Sequence, residues 1–280
     1  MNIQRALQKA NLFLREKNIK TPDLDTQILM SKVLKKKKEF IILNLDIEIT
    51  DKNLEYFNQL VDQRAKGKPI AYLTEKKSFW KYEFTINKEV LIPRPDTEII
   101  VEQVLALTKN KEKMNLLDVG IGSGCILLSI LKDKKSFLGT GIDINNKSLT
   151  ICRINGHNLD VNNRLKLFKS DIDNFNNGKY DLIISNPPYI KKAKLKYLDK
   201  DVIGFEPRQA LDGGIEGLSE IRKVINKSSE LIKKKGFLVL EMGFDQRRQV
   251  KKILENNGFY IKKIVKDLSN NDRCIISIKI

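Results

Sequence analysis

The stretch Leu116-Leu117-Asp118-Val119-Gly120-Ile121-Gly122-Ser123-Gly124-Cys125, continued by the apolar Ile126-Leu127-Leu128-Ser129-Ile130, decides the fold. It reads as a buried strand running into a tight glycine turn and then a helix. Glycines tolerate positive φ and let a ligand come close to the backbone. A dinucleotide fingerprint would space them G-x-G-x-x-G, with the helix N-terminus facing a pyrophosphate. Here the spacing is G-x-G-x-G, and the acid Asp118 precedes it. A carboxylate there disfavours a phosphate and suits the cationic amino-acid end of a ligand, directly or through water.

Downstream, the strand Phe137-Leu138-Gly139-Thr140-Gly141-Ile142 ends at Asp143. That puts an acceptor for both ribose hydroxyls at the carboxyl edge of the neighbouring strand, where ligands of open α/β sheets bind. Loop and acid together describe an adenosine-type cofactor without phosphates, which favours S-adenosylmethionine over NAD. The third strand leads to Ser170-Asp171-Ile172, where the acid could meet the adenine amino group and Ile172 could pack on the ring. A surface turn is the competing reading of that tripeptide.

Strands are expected at 115–119, 137–142, 164–169, 180–185, 236–241, 259–266 and 273–279. Helices fall near 124–132, 146–156, 215–234 and 246–256. This alternation predicts an α/β fold with a doubly wound, mostly parallel seven-stranded sheet. Leu182-Ile183-Ile184 and Phe237-Leu238-Val239-Leu240 are apolar throughout, as central strands should be.

Upstream, residues 2–66 read as helical. Thr21-Pro22-Asp23-Leu24-Asp25 is a start signal, with Thr21 able to cap and Pro22 tolerated in the first turn. Thr50-Asp51 starts another helix, which runs to the breaker Gly67-Lys68-Pro69. From Tyr72 the texture changes. Phe79-Trp80-Lys81-Tyr82-Glu83-Phe84-Thr85-Ile86 is aromatic and β-branched, with a hairpin turn expected at Asn87-Lys88. Pro93-Arg94-Pro95 then breaks the chain, and Asp96-Thr97-Glu98 opens a helix to about Leu107. The expected division is a helical domain at 1–71, a hairpin linker at 72–92 and a ligand-binding domain at 93–280.

The strand Tyr180-Asp181-Leu182-Ile183-Ile184-Ser185 ends in Asn186-Pro187-Pro188-Tyr189. Two prolines fix φ and remove two backbone donors, leaving a stiff turn with free carbonyls. That suits the capture of a planar nitrogen, whose delocalised lone pair makes it a poor nucleophile. Held by the Asn186 side-chain oxygen and the Pro187 carbonyl, such a nitrogen is aimed at a methyl donor, while Tyr189 can stack on its flat face. No strong base is required, which matches a chain whose one histidine is His157.

Cys125, Cys152 and Cys274 are scattered, without a CxxC pair, which fits free thiols and offers no zinc site; no metal is expected. No run of about 18 apolar residues occurs, and the N-terminus lacks a signal-peptide pattern, so a cytoplasmic location without membrane association is expected. Net charge is +17, from 52 Lys and Arg against 35 Asp and Glu. An acidic partner and a compositional drift toward Lys, Ile and Asn account for it equally well.

Together with Pro69-Ile70-Ala71-Tyr72-Leu73-Thr74, Leu91-Ile92-Pro93-Arg94-Pro95-Asp96-Thr97-Glu98 and Phe205-Glu206-Pro207-Arg208-Gln209-Ala210-Leu211-Asp212-Gly213-Gly214, the loop and turn closely resemble the release-factor glutamine methyltransferases, the HemK/PrmC group of class I methyltransferases. The likeness covers nearly the whole chain. It implies a class I methyltransferase fold, S-adenosylmethionine as cofactor, and methylation of the glutamine amide in the Gly-Gly-Gln motif of peptide chain release factors. By position, Gly120, Ile121, Gly122, Ser123, Gly124, Asp143, Ile172 and Asn186 would bind the cofactor, and Asn186, Pro187, Pro188 and Tyr189 the substrate. Asn186, Pro187 and Tyr189 would carry the chemistry, Arg94 and Glu206 would brace the pocket, and residues 1–71 would recognise the substrate. Many relatives carry glycine where Glu75 stands, which puts the shape of the linker turn in question. Rival acceptors are a glutamine of a large-subunit ribosomal protein and an adenine N6 of nucleic acid. Nucleic acid is not required by the resemblance, and the oligomeric state stays open.

Overall fold

The computed structural model describes all 280 residues, which divide into two compact units. The first comprises Met1–Lys76 and Asp199–Phe205; the second comprises Lys77–Leu198 and Glu206–Ile280.

The first unit is helical: α1 (Ile3–Glu16), α2 (Pro22–Leu34), α3 (Lys38–Leu43), α4 (Asp51–Ala65) and α5 (Ile70–Thr74). Asn2 and Thr50 cap α1 and α4 by accepting from the backbone N–H of Arg5 and Asn53. Thr21 does not cap α2; its hydroxyl donates instead to Asp25 Oδ1, at 3.0 Å. Asp25 is thereby aimed at Arg64 of α4, whose Nε lies 2.6 Å from Oδ2, with side-chain exposures of 3% and 8%. Apolar faces of α1, α2 and α4 close around Leu14, Leu29, Met30 and Phe57, all fully buried. α5 spans the position where the linker was expected to begin, and it ends at Glu75 in a left-handed conformation (φ 62°). The Glu75 carboxylate is held by Lys32 Nζ at 3.1 Å, so a residue with a side chain occupies a place that glycine would fill more easily.

The hairpin is shorter than its sequence suggests. β1 (Lys76–Phe79) and β2 (Tyr82–Thr85) are joined by Trp80-Lys81, while Asn87 only closes a local turn by accepting from the Glu89 N–H. Trp80 takes the positive φ (56°) that such turns demand. It is pinned there from both ends: its backbone N–H donates to Glu98 at 2.8 Å and its indole N–H to Asp133 at 3.0 Å. Non-local anchors thus override the poor turn propensity of Trp80, which displaced the turn from Asn87-Lys88.

The rest of the second unit alternates α6 (Glu98–Leu107), β3 (Asn115–Val119), α7 (Cys125–Asp133), β4 (Leu138–Asp143), α8 (Asn146–Asn158), β5 (Leu165–Lys169) and β6 (Tyr180–Ser185). A long connection follows; its α9 (Lys200–Phe205), a six-residue helix that the apolar periodicity does not mark, belongs to the first unit. α10 (Ser219–Leu231), β7 (Ile232–Glu241), α11 (Arg247–Asn256), β8 (Phe259–Lys266) and β9 (Asp272–Lys279) complete the chain.

The seven strands order as β5-β4-β3-β6-β7-β9-β8. β3 to β7 pair in parallel, and β9 runs antiparallel to both β7 and β8. This is the doubly wound, mostly parallel architecture that the alternation predicts. Chain order steps outward from β3 to β5 and then returns to β6 beside β3, so the switch point lies between β3 and β6. In register, Val119 stands opposite Ser185. The glycine loop and the Asn-Pro-Pro-Tyr turn therefore leave the sheet side by side. No helix is long and apolar enough to cross a membrane.

Candidate active site at the sheet switch point

A cavity of about 730 Å³ opens at the carboxyl ends of β3, β4 and β6. Its walls include Gly120, Ile121, Gly122, Ser123, Asp143, Asp171, Ile172, Asn186, Pro187 and Pro188. Asp118, Gly124 and Tyr189, singled out by sequence, are elsewhere. Gly124 does not reach the wall; it starts α7 at φ 81°, where a Cβ would meet Cys152 Sγ at 2.6 Å and Leu128 Cδ1 at 2.7 Å. It is a glycine for close packing of the loop. Tyr189 turns its ring onto the core of the unit and is likewise absent from the wall.

The loop glycines on the wall have the opposite surroundings. A Cβ on Gly120 (φ 74°) would meet nothing within 4 Å, and on Gly122 (φ 54°) only the Gly120 carbonyl at 4.0 Å. Bare backbone therefore faces open cavity, as a cradle for a closely approaching ligand must. Asp143 holds the loop by accepting from the Gly122 N–H at 3.0 Å and from the Asn145 N–H at 2.8 Å. Burial raises its pKa, opposed by those two hydrogen bonds.

Beneath the loop, Asp118 is 1% exposed and its Oδ2 has no hydrogen-bond partner. Burial pushes its pKa up to about 7, with the nearby Asp143 adding to the rise. A buried carboxyl with one unpartnered oxygen under a bare glycine cradle fits a ligand that carries a positive charge and no phosphate. S-adenosylmethionine meets that description, and the residues present suit it.

The second half of the site is built from side chains far apart in sequence. Asn186 Nδ2 donates to Thr97 Oγ1 at 3.2 Å, which leaves Oδ1 as the amide's acceptor at the cavity wall. Thr97 stands at the start of α6 yet makes no capping bond; its hydroxyl serves the turn instead. The Tyr189 hydroxyl donates to Glu241 Oε1 at 3.0 Å and accepts from Arg273 at 3.3 Å. Gln246 Nε2 donates to the Tyr189 and Gly217 carbonyls at 3.0 and 2.9 Å. Glu241 is 2% exposed. Burial raises its pKa, while the hydroxyls of Thr97 and Tyr189 and the charge of Arg273 oppose the rise.

Arg94 and Glu206 do come together. Glu206 is buried, accepting from the Arg94 guanidinium through one oxygen and from the Ile92 N–H through the other, at 3.2 Å. The pair ties the Ile-Pro-Arg-Pro segment to the Glu-Pro-Arg segment, and Arg94, Pro207 and Arg208 all reach the cavity wall. Thr97, Glu241, Gln246 and Arg273 were not singled out from the sequence. For Glu241 a signal existed: it is an acid at the carboxyl end of an apolar central strand, the same signature that marked Asp143.

Comparison with known proteins agrees with this geometry. Residues 5–74 match the family described as PrmC N-terminal domain, and residues 96–262 match the methyltransferase small domain. A release factor glutamine methyltransferase of Clostridium acetobutylicum is 38% identical over 100% of this chain and 99% of its own length. Proteins of the same name from Caulobacter vibrioides and Buchnera aphidicola are 32% and 34% identical, each over 100% of this chain and 97% and 99% of their own lengths. Among solved structures, the ribosomal protein L11 methylase of Lactobacillus delbrueckii subsp. bulgaricus superposes with a TM-score of 0.52, covering 70% of this chain and 84% of that one. At 16% identity this likeness speaks for the fold alone. With the cofactor loop, the proline turn and the helical unit on one chain that matches these relatives end to end, the protein belongs to the release factor glutamine methyltransferase family.

Proposed function

We infer that this chain transfers a methyl group from S-adenosylmethionine to the side-chain amide nitrogen of the glutamine in the Gly-Gly-Gln motif of peptide chain release factors. The observation that carries the reading is the Asn186 amide, tethered through Nδ2 to Thr97 and placed one register step from the glycine loop. When bound, the cofactor supplies a methyl group on a positively charged sulfonium.

The chain's own residues bind, orient and exclude water. Gly120 and Gly122 admit the ligand to the backbone, Asp143 takes ribose hydroxyls, Ile172 packs against the base, and Asp118, buried beneath the loop and off the wall, supplies negative charge toward the cationic end. Asn186 Oδ1 and the Pro187 carbonyl accept the two N–H bonds of the target amide, so that its nitrogen points at the methyl carbon. Because that lone pair is delocalised, alignment is the main lever on rate, and well-oriented groups gain several kcal/mol from it. Pro187 and Pro188 shape the pocket. Tyr189, off the wall, braces the turn instead of stacking on the substrate. For the helical unit we propose a role in recognising the release factor.

Incubation with methyl-labelled S-adenosylmethionine and three acceptors (a release factor, large-subunit ribosomal proteins, and DNA or RNA) tests the reading. Label in the release factor alone is expected. Label in ribosomal protein or nucleic acid, with none in the release factor, would contradict it.

A further inference from the structure

Three stretches of chain gather at the carboxyl edge of the sheet around the acceptor turn, and each presents a bare apolar side chain. The connection after β6 carries Tyr197, the glycine-rich stretch 211–219 carries Ile215, and the turn between β8 and β9 carries Leu268. At 77%, 86% and 98% exposed, these are the three most exposed large apolar side chains of the second unit. Scattered singly, exposed apolar residues are ordinary; gathered at one edge, they mark a contact surface.

Each tip is tied to the chain that runs on from the turn. The Gly213 N–H donates to the Ile190 carbonyl, and the Lys192 N–H to the Gly214 carbonyl, both at 2.9 Å. Gln246 closes the far side of Ile215 by bonding the Gly217 and Tyr189 carbonyls together. Leu268 rides on a turn built around the buried Asp267, whose carboxylate accepts from the N–H groups of Ser269 and Asn271 and from Arg273, each at 2.9 Å. Arg273 in turn donates to the Tyr189 hydroxyl at 3.3 Å. Tyr197 ends a 3-10 helix (Lys192–Tyr197), where residues three apart share a face, so it lies beside Lys194. Lys194 reaches the loop after β7, with Asp245 at 3.5 Å and the Phe244 ring at 5.7 Å.

A tip held this firmly has little left to order when it is covered, so most of its burial counts toward binding. Position decides what covers it. Whatever sits on these tips also sits at the acceptor turn, where a membrane or a second copy of this chain would obstruct the cavity. A protein acceptor must lie there for its glutamine to enter. We propose that Tyr197, Ile215 and Leu268 form a docking surface for apolar side chains of the acceptor protein on either side of the methylated glutamine. This inference rests on the release-factor reading given above and adds how the partner is held beyond its reacting side chain.

Calorimetric titration of a release factor into the protein reads this surface without turnover. The triple variant Tyr197→Ser, Ile215→Ser, Leu268→Ser should weaken the release-factor Kd about fiftyfold, and each single change about fourfold. KM for the release factor should rise in parallel, while kcat at saturation stays within about twofold and the Kd for S-adenosylmethionine is unchanged. At positions this exposed the unfolding midpoint should match the parent's; if the triple variant unfolds early, the single variants carry the same reading. An unchanged release-factor Kd in the variants would overturn the proposal. So would tip-dependent self-association, or tip-dependent binding to phosphatidylglycerol vesicles, with that Kd unchanged. If the parent binds the release factor through the tips but labels no glutamine, the methyl-transfer reading fails and the docking surface stands. A parent that does not bind the release factor overturns both.

Discussion

The glycine loop after β3 and the proline turn after β6 leave adjacent strands at the same sheet edge, yet they are held in opposite ways. The loop is nearly self-sufficient. Its conformation comes from positive-φ glycines and from Asp143, one strand away, and its open face is bare backbone. The turn is held from a distance, with Thr97, Glu241, Gln246 and Arg273 reaching it from the start of α6, the end of β7, the start of α11 and β9. Cofactor binding, on this account, is a local property of a short stretch, whereas acceptor geometry is a property of the whole unit. Substitutions on the two sides should therefore separate affinity from turnover.

The largest separation is expected at Asn186. Asn186→Ala should reduce methyl transfer about a thousandfold, in the range seen when one oriented hydrogen-bonding group is lost from an active site. Cofactor affinity, measured by calorimetry, should change by no more than about threefold, since the loop is untouched. Equal loss of both would erase the contrast between the two halves. The converse variant is Asp143→Ala, which removes the ribose acceptor and the brace on Gly122. Its Kd for S-adenosylmethionine should rise about thirtyfold, with kcat at saturating cofactor much less affected.

A smaller effect sharpens the loop side. Because burial raises the pKa of Asp118 to about 7, ionising it costs the ligand-free protein stability as pH rises from the ordinary carboxylate range to about 7. A cationic ligand favours the ionised form, so cofactor affinity should strengthen as pH rises toward about 7 and level off above it, short of the point near pH 8 where the ligand's own amine titrates. In Asp118→Asn that dependence should flatten; a profile unchanged by the substitution would remove Asp118 from the cofactor site.

The smallest effect on either half belongs to a control in the helical unit. Asp25→Ala removes the carboxylate 2.6 Å from buried Arg64, leaving only Asp201 at 3.5 Å, and should destabilise that unit by about 3 kcal/mol, read as a lowered unfolding midpoint. Cofactor affinity should not move.

The same contrast explains what could be read from residues alone. Seven strands, the glycine loop, Asp143 and the Asn-Pro-Pro-Tyr turn were legible because each is written in a contiguous pattern: apolar runs, fixed glycine spacing, an acid at a strand end. The hairpin turn at Trp80-Lys81 was not, because Glu98 and Asp133 impose a conformation that Trp80 would not choose locally. Thr97 looked like an ordinary helix start, and only the fold reveals that its hydroxyl faces Asn186. Gly124 and Tyr189 belong to contiguous motifs yet sit off the cavity wall, since a motif gives proximity in sequence and not the direction in which each side chain is turned. Glu75 shows the reverse: a departure from the common glycine is absorbed by an ion pair with Lys32 and a left-handed backbone.

The most direct test of the central claim is tandem mass spectrometry of a release factor after incubation with S-adenosylmethionine and either the parent protein or Asn186→Ala. The account predicts a single added methyl on the side-chain nitrogen of the Gly-Gly-Gln glutamine with the parent, and none with the variant. A methyl on another residue, or equal modification by both proteins, would contradict it.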